Sequence, residues 1–167
     1  MEKTGLYFSC KIGNLPSEAF DVAEFLLDEG LSQLFTLTLK VVSKRDDFDP
    51  DAQLLQKASL TVKVNDVEQR TITGLVAGVE RGDSGFRRTF YTLTIRPEAW
   101  VMTLNQDSRI YHQLNTPQIL QQLLQDNHVE AKCTLIKDNH LQREYVTQKR
   151  ESAAHFFDRL AAEEGFV

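Results

Sequence analysis

The stretch Arg-Pro-Glu-Ala-Trp-Val-Met-Thr-Leu-Asn-Gln-Asp-Ser-Arg-Ile-Tyr, residues 96–111, joins two parts of the chain that differ in hydrophobic pattern. Before it, apolar and polar residues alternate with the two-residue period of a strand that has one buried face. After it, apolar residues recur at helical spacing. We therefore predict an α+β chain that is mainly β, with one domain over residues 1–104 and a smaller α+β domain over residues 105–167.

The first domain is predicted to be a curved, barrel-like antiparallel sheet. Gly74 and Gly78 lie where the apolar phase slips, which is typical of a bulge or bend. Gly82–Gly85 has the composition of a hairpin loop, and Asp49-Pro50 that of a helix start. Strand-like segments in this domain are Leu6–Ile12, Phe20–Leu27, Phe35–Val41, Leu60–Val64, Thr71–Arg81 and Phe86–Arg96.

The second domain is predicted to contain two helices and two strands. Thr116 is the expected cap of a helix over Pro117–Asp126, because its apolar residues form one stripe. Ser152 is the expected cap of a last helix that Gly165 ends. The strands are predicted over Lys132–Ile136 and Glu144–Gln148. We expect this domain to be incomplete, since the chain ends as an apolar run begins.

The composition excludes several classes of partner. A net charge of −5 gives no long-range attraction to nucleic acid, and no apolar run is long enough for stable membrane insertion. The first residues lack the pattern of a secretory signal, and the two widely separated cysteines, Cys10 and Cys133, favour a reducing compartment. We expect synthesis in the cytoplasm and, if the protein is exported, a route that needs no signal peptide.

The spacing of polar residues argues against a metal site. Asp47, Asp49 and Asp51 begin like a calcium loop, but Ala52 and Ala58 stand where that loop needs glycine and glutamate. A zinc site formed by His128, Cys133 and His140 would lack the close ligand pairs that such sites use. Neither set of residues has the ligand spacing that calcium or zinc requires, so we expect no metal site.

Catalytic and cofactor motifs are also missing from the sequence. There is no G-x-S-x-G nucleophile elbow, no phosphate-binding P-loop and no dinucleotide-binding glycine motif. Arg87-Arg88 is typical of a charged pair that protects a sheet edge. We expect no enzyme activity and no cofactor.

An ordered set of short segments resembles one protein family over nearly the whole chain. The segments are Leu31–Phe35, Gly74–Val76, Trp100 with Ser108–Tyr111, Arg143-Glu144-Tyr145, Arg150-Glu151-Ser152 and Phe156–Gly165. In this order they resemble the N-terminal, phage tail hub-like region of VgrG, the spike protein of bacterial type VI secretion.

The resemblance implies a structural hub in a homotrimeric cell-puncturing spike. Such a hub stacks on the tube of Hcp rings, and a missing C-terminal part carries the PAAR tip and effectors. The protein would be made in the bacterial cytoplasm and then injected by the type VI machinery. One alternative is the hub of a contractile phage or phage-derived particle. A second is a stand-alone ligand-binding barrel or enzyme domain.

The residues that carry the resemblance near the domain join are expected to be structural. They are Trp100, Ser108, Arg109, Ile110, Tyr111, Arg143, Glu144, Tyr145, Arg150 and Glu151. Trp100 and Tyr111 are expected to be buried, because apolar residues surround them and no linker composition separates the domains. The segment Thr36–Lys44 is expected to be an exposed sheet edge that a closed ring would cover.

Overall fold

Alternating apolar residues build six β-strands in the first part of the chain. The computed structural model describes residues 5–43, 48–85, 88–132, 134 and 139–167. It divides into two compact units, Met1–Pro97 and Glu98–Val167. The strands of the first unit are β1 (Leu6–Ile12), β2 (Phe20–Asp28), β3 (Thr36–Ser43), β4 (Lys57–Val64), β5 (Val67–Gly85) and β6 (Arg88–Arg96).

The sheet of the first unit curls until its two edge strands meet. The strand order is β1-β4-β5-β6-β3-β2, and all neighbouring pairs are antiparallel. Phe8 of β1 and Phe25 of β2 nevertheless pack edge to face, with ring centroids 5.1 Å apart. Arg70 of β5 also reaches Glu29, which follows β2, at 2.6 Å. These contacts confirm the predicted curved, barrel-like antiparallel sheet.

Bulges in β5 allow this curvature. The register between β5 and β6 shifts between Val76 and Gly78, where the sequence predicted a bulge. The predicted loop at Gly82–Gly85 is wrong, because these residues continue β5 and Gly85 pairs with Arg88. A two-residue connection is enough for antiparallel strands. Residues 86 and 87, including one arginine of the predicted basic pair, lie outside the described residues.

The inner face of the curled sheet forms the first core. Leu37 and Leu39 of β3 and Leu93 of β6 are fully buried there. Phe48 packs edge to face against Tyr91, with ring centroids 4.5 Å apart. Cys10 of β1 is a free thiol in this core, and burial raises its pKa to about 11. The inward residues therefore follow the alternation seen in the sequence.

The position of β3 corrects one prediction. We expected Thr36–Lys44 to be an exposed edge, but β3 pairs with β2 on one side and with β6 on the other. Strand order depends on pairings between distant segments, so alternation within one strand does not reveal it. Lys44 itself lies outside the described residues.

The predicted short helix is a single 3₁₀ turn, Asp51–Gln53. The Asp49 carboxylate accepts hydrogen bonds from the backbone N–H groups of Asp51 and Ala52 at 3.0 and 3.4 Å. Asp49 therefore serves a local turn, which is the role predicted for it in place of calcium binding. Asp47 lies outside the described residues.

The second unit begins earlier than the predicted border. Its elements are a 3₁₀ helix (Glu98–Thr103), β7 (Gln106–Leu114), α1 (Thr116–Asp126), β8 (Arg143–Ser152) and α2 (Ala153–Glu164). The division falls after Pro97, upstream of residue 104, because the 3₁₀ helix contributes buried Met102 to the second core. That core also contains Ile119, Leu123, Phe156 and Leu160.

Both helices have well-formed ends. Asn115, and not Thr116 as predicted, caps α1: its side chain accepts from the Gln118 N–H at 3.0 Å, and Gln118 accepts from the Asn115 N–H at 2.9 Å. Ser152 caps α2 as predicted, by accepting from the His155 N–H at 3.1 Å. Gly165 ends α2 in the left-handed conformation with φ 73°.

The segment between α1 and β8 is described only in part. The predicted strand Lys132–Ile136 falls mostly outside the described residues, and Lys132 and Thr134 are not in a strand. Within the part of the chain that is described, no helix has the length and apolar character that crossing a bilayer requires.

Candidate functional site

The residues singled out in the second half of the sequence meet on a two-stranded antiparallel ribbon. Ser108–Tyr111 lie on β7, and Arg143–Tyr145 with Arg150 and Glu151 lie on β8. Tyr111 pairs with Val146, and Asp107 pairs with Glu151. Trp100 lies outside the ribbon in the 3₁₀ helix, where it is half-buried and its carbonyl accepts from the Thr103 hydroxyl at 2.7 Å.

The inner face of the ribbon packs against both helices. Tyr111 is buried, as expected, and its ring stacks on Phe156 of α2 with centroids 5.6 Å apart. Burial is also the main reason why the pKa of the Tyr111 hydroxyl is raised. The residue opposite it, Val146, is buried as well. Tyr111 thus anchors the ribbon to the core of the unit.

A small polar pocket lies beside Tyr111. Arg109 reaches Asp126 of α1 at 2.5 Å and Asp107 at 3.6 Å. Its guanidinium lies over the Tyr111 ring, 5.9 Å from the centroid, and the Tyr111 hydroxyl has no hydrogen-bond partner among the described residues. Further residues that line the pocket are Asn105, Leu123, Asn127, Gln148 and Ala153. Arg109 therefore ties β7 to the end of α1.

The outer face of the ribbon is open to solvent. Ile110 and Tyr145 expose 56% and 65% of their surface, which is high for residues of their size. Glu144, beside Tyr145, is exposed too. The two faces of the ribbon therefore differ, because one is covered by helices and the other carries large side chains that no described residue covers.

A bulge interrupts the ribbon at Arg150. Asp107 pairs with Glu151 and Ser108 with Lys149, so Arg150 is the extra residue. Its backbone is left-handed, with φ 49°, and its N–H donates to the Ser108 hydroxyl at 3.1 Å. Ser108 therefore supplies the hydrogen bond that the interrupted ladder cannot.

Glu151 ties β8 to α2. Its carboxylate accepts from Arg159 at 2.7 Å and contacts His155 at 3.0 Å. Arg159, and to a smaller degree His155, hold the pKa of Glu151 below its usual value. Arg159 also donates to the Thr147 carbonyl at 3.2 Å, so one guanidinium joins two points of β8.

Arg143 extends these ion pairs to the end of α2. It donates to Glu163 at 2.7 Å and to Glu164 at 3.3 Å. Glu164 in turn accepts from the Thr116 hydroxyl at 2.8 Å and lies 3.2 Å from His140. The hydrogen bond from Thr116 is the main cause of the lowered pKa of Glu164, and the hydrogen bond with His140 is the next largest. Residues from α1, β8 and α2 are thereby linked.

The sequence did not predict the partners in this network. Arg159 and Glu163 are four residues apart on a predicted helix, which could have indicated their ion pair. No sequence signal joins Arg143 to Glu163 or Thr116 to Glu164, because these pairs are brought together only by folding.

The two carboxylates of the site that contact histidines also pair with arginines. Glu151, which contacts His155, and Glu164, which contacts His140, are each also engaged by an arginine. Across the described ranges, no three or more His, Cys, Asp or Glu side chains converge on a common metal position. Of the three residues considered for zinc, His140 pairs with Glu164, and Cys133 lies outside the described residues.

Comparison with known proteins places the chain in a family. Residues 28–167 match the family described as phage tail baseplate hub (GPD). The type VI secretion system spike proteins VgrG2b and VgrG2a of Pseudomonas aeruginosa are each 36% identical over 100% of this chain. Spike protein VgrG3 of Vibrio cholerae is 32% identical over 97% of it. The chain spans only 16%, 20% and 17% of the lengths of these relatives.

Solved structures show the same fold. The E. coli c3393 protein, described as a component of the type VI secretion system with structural similarity to the T4 tail proteins gp27 and gp5, aligns with a TM-score of 0.80 at 25% identity. The alignment covers 92% of this chain and 42% of that one. A prophage tail protein of Shewanella oneidensis shares the fold, with a TM-score of 0.64 at 13% identity over 96% of this chain and 49% of that one. The chain belongs to the phage tail baseplate hub family and corresponds to the N-terminal hub-like region of the VgrG spike proteins.

Proposed function

We propose that this chain is the structural hub of a homotrimeric, cell-puncturing type VI secretion spike. The observation that carries the proposal is the match over the whole chain to proteins named as type VI spike proteins. The fold agrees, because a curled sheet and a ribbon clamped by ion pairs form a rigid support. The function is mechanical, and no reaction is assigned to the chain.

In this proposal the hub docks on an Hcp-like ring. A PAAR tip and effectors attach through a part of the protein that lies outside this chain. The protein is made in the bacterial cytoplasm and then injected by the type VI machinery. Because the chain corresponds to less than a quarter of its relatives, the tip and effector contacts belong to the longer protein.

The mass of the full-length protein in solution tests the trimer. Light scattering at micromolar concentration should give three times the mass of one chain, and a monomer would contradict the spike. Co-sedimentation with the Hcp-like ring protein of the same bacterium tests docking. The ring should carry the full-length trimer down, whereas a trimer that stays in the supernatant would leave the hub without its proposed partner.

The alternative in the same mechanical class is a hub of a phage or phage-derived contractile particle. The family description and the fold shared with a prophage tail protein favour it. Secretion distinguishes the two. Release of the protein into the medium that stops when the type VI sheath gene is deleted supports the spike. Recovery of the protein in particles from the same deletion strain supports the phage-derived hub.

A further inference from the structure

Arg150 differs from the other arginines of the second unit. Arg109, Arg143 and Arg159 each contact a carboxylate, at 2.5, 2.7 and 2.7 Å. Arg150 is exposed, and its guanidinium makes no ion pair or hydrogen bond with any described residue. Lys149, the neighbouring cation, is likewise exposed and without a partner in the described chain. Lys149 and Arg150 are therefore adjacent cations that no described residue compensates.

Two carboxylates lie close to Lys149 and Arg150, but both of them bind other groups. Asp107 and Glu151 face each other directly beside the bulge. Asp107 accepts from the Ser108 N–H at 2.7 Å and lies 3.6 Å from Arg109. Glu151 accepts from Arg159 at 2.7 Å. Since both nearby carboxylates are engaged, the Arg150 guanidinium stays available to a group from outside the described chain.

The backbone around Arg150 favours an outward side chain over local stability. A left-handed φ of 49° is unfavourable for a residue other than glycine. Bulges redirect side chains, and strained residues occur at sites that serve a function. The Ser108 hydroxyl holds this conformation by accepting from the Arg150 N–H. The bulge therefore exposes the Arg150 guanidinium, and the unfavourable backbone conformation lowers the stability of the ribbon.

We propose that Lys149 and Arg150 bind a carboxylate of a neighbouring copy of this chain in the assembled hub. This inference rests on the proposed trimer. The chain has 24 acidic and 19 basic residues, so another copy offers an excess of carboxylates. In a closed threefold ring each interface joins two different patches, which lets Lys149 and Arg150 of one copy face carboxylates on a different patch of the next.

Zero-length cross-linking tests the contact. A carbodiimide joins an amine to a carboxylate that touches it, and Lys149 supplies the amine. In full-length trimers assembled from light and isotopically heavy copies, we expect Lys149 to be joined to an Asp or Glu of another copy. The yield should fall several-fold in Arg150→Glu, whereas Lys132→Glu, with the same change of charge on an exposed residue of the same unit, should leave it unchanged.

The other outcomes separate this inference from the proposed function. Trimers in which Lys149 is joined only to its own chain would overturn the contact and leave the spike intact, whereas failure to form any trimer would remove both. Retention of the chain on heparin that Arg150→Glu abolishes would assign the pair to a polyanion and overturn the inference.

A glycine variant tests whether Arg150 instead serves the fold. Arg150→Gly relieves the left-handed backbone, so the melting temperature of this chain should stay the same or rise while the cross-link between copies weakens. A clear fall in melting temperature would mean that Arg150 stabilises the ribbon itself, which contradicts the proposed role.

Discussion

Gly74 shows how one backbone contact restricts the sequence of the curled sheet. A Cβ atom at this position would lie 2.3 Å from the Arg96 carbonyl oxygen of β6. Because that atom belongs to the backbone, it cannot move aside as a flexible side chain would. The close approach of β5 and β6 therefore requires glycine here.

We expect Gly74→Ala to lower the free energy of unfolding by about 1–3 kcal/mol, the usual cost of forcing atoms into a packed site. Gly78→Ala is the matched control on the same strand, because its added Cβ would meet only the Thr94 Cβ at 4.0 Å. The control should be neutral or stabilise by about 0.4–1 kcal/mol. Urea denaturation followed by circular dichroism measures both, and equal losses would contradict the steric argument.

Glu151 should make the second unit sensitive to acid. Arg159 and His155 lower its pKa in the folded state. A lowered folded pKa means that the stabilisation is complete above the unfolded pKa, about 4.3 for a glutamate, and is lost as the pH falls through the folded value. The free energy of unfolding should therefore decrease as the pH drops below about 4.3.

The Glu151→Gln variant isolates this contribution. It should cost about 1 kcal/mol at neutral pH, since Arg159 is partly exposed and water screens the ion pair, and it should flatten the acid dependence. Glu144→Gln on the same strand is the control, because Glu144 is exposed and no ion pair to a described residue holds it. Identical pH profiles for Glu151→Gln and the unchanged chain would refute this assignment.

At the scale of elements, local signals predicted helix ends better than strand partners. The cap at Ser152 and the stop at Gly165 depend on residues within one turn, and both are found in the structure. The bulge at Arg150 and the interior position of β3 depend on which strands pair, which alternation does not reveal. The resemblance identified most residues of the ribbon, but not the carboxylates on α2 that Arg143 binds.

The cap of α1 is a testable case in which the structure differs from the prediction made from the sequence. Asn115 accepts from the first turn, whereas Thr116 is buried and donates to Glu164. Asn115→Ala should therefore lower the free energy of unfolding by about 1 kcal/mol. Asn115→Ser should keep most of the original stability, since serine is also a good cap. Chemical denaturation of both variants checks this, and equal losses would argue against a capping role.

At the scale of the whole molecule, we expect a protein that works without metal. Glu151 and Glu164, which contact His155 and His140, are already paired with arginines, and the described His, Cys, Asp and Glu side chains form no metal-ligand set. Elemental analysis of protein purified without chelator should find neither zinc nor calcium in stoichiometric amount. One tightly held ion per chain would contradict this and would reopen the question of a reaction.

The buried thiol of Cys10 can report how often the first unit opens. Cys10 is only 3% exposed, so an alkylating reagent cannot reach it in the folded unit. Its pKa of about 11 also keeps the thiol protonated, and the protonated form is a poor nucleophile. Its labelling must wait until the curled sheet opens. In a Cys133→Ser background, the rate of alkylation therefore reports how often the hub domain opens, without any engineered probe.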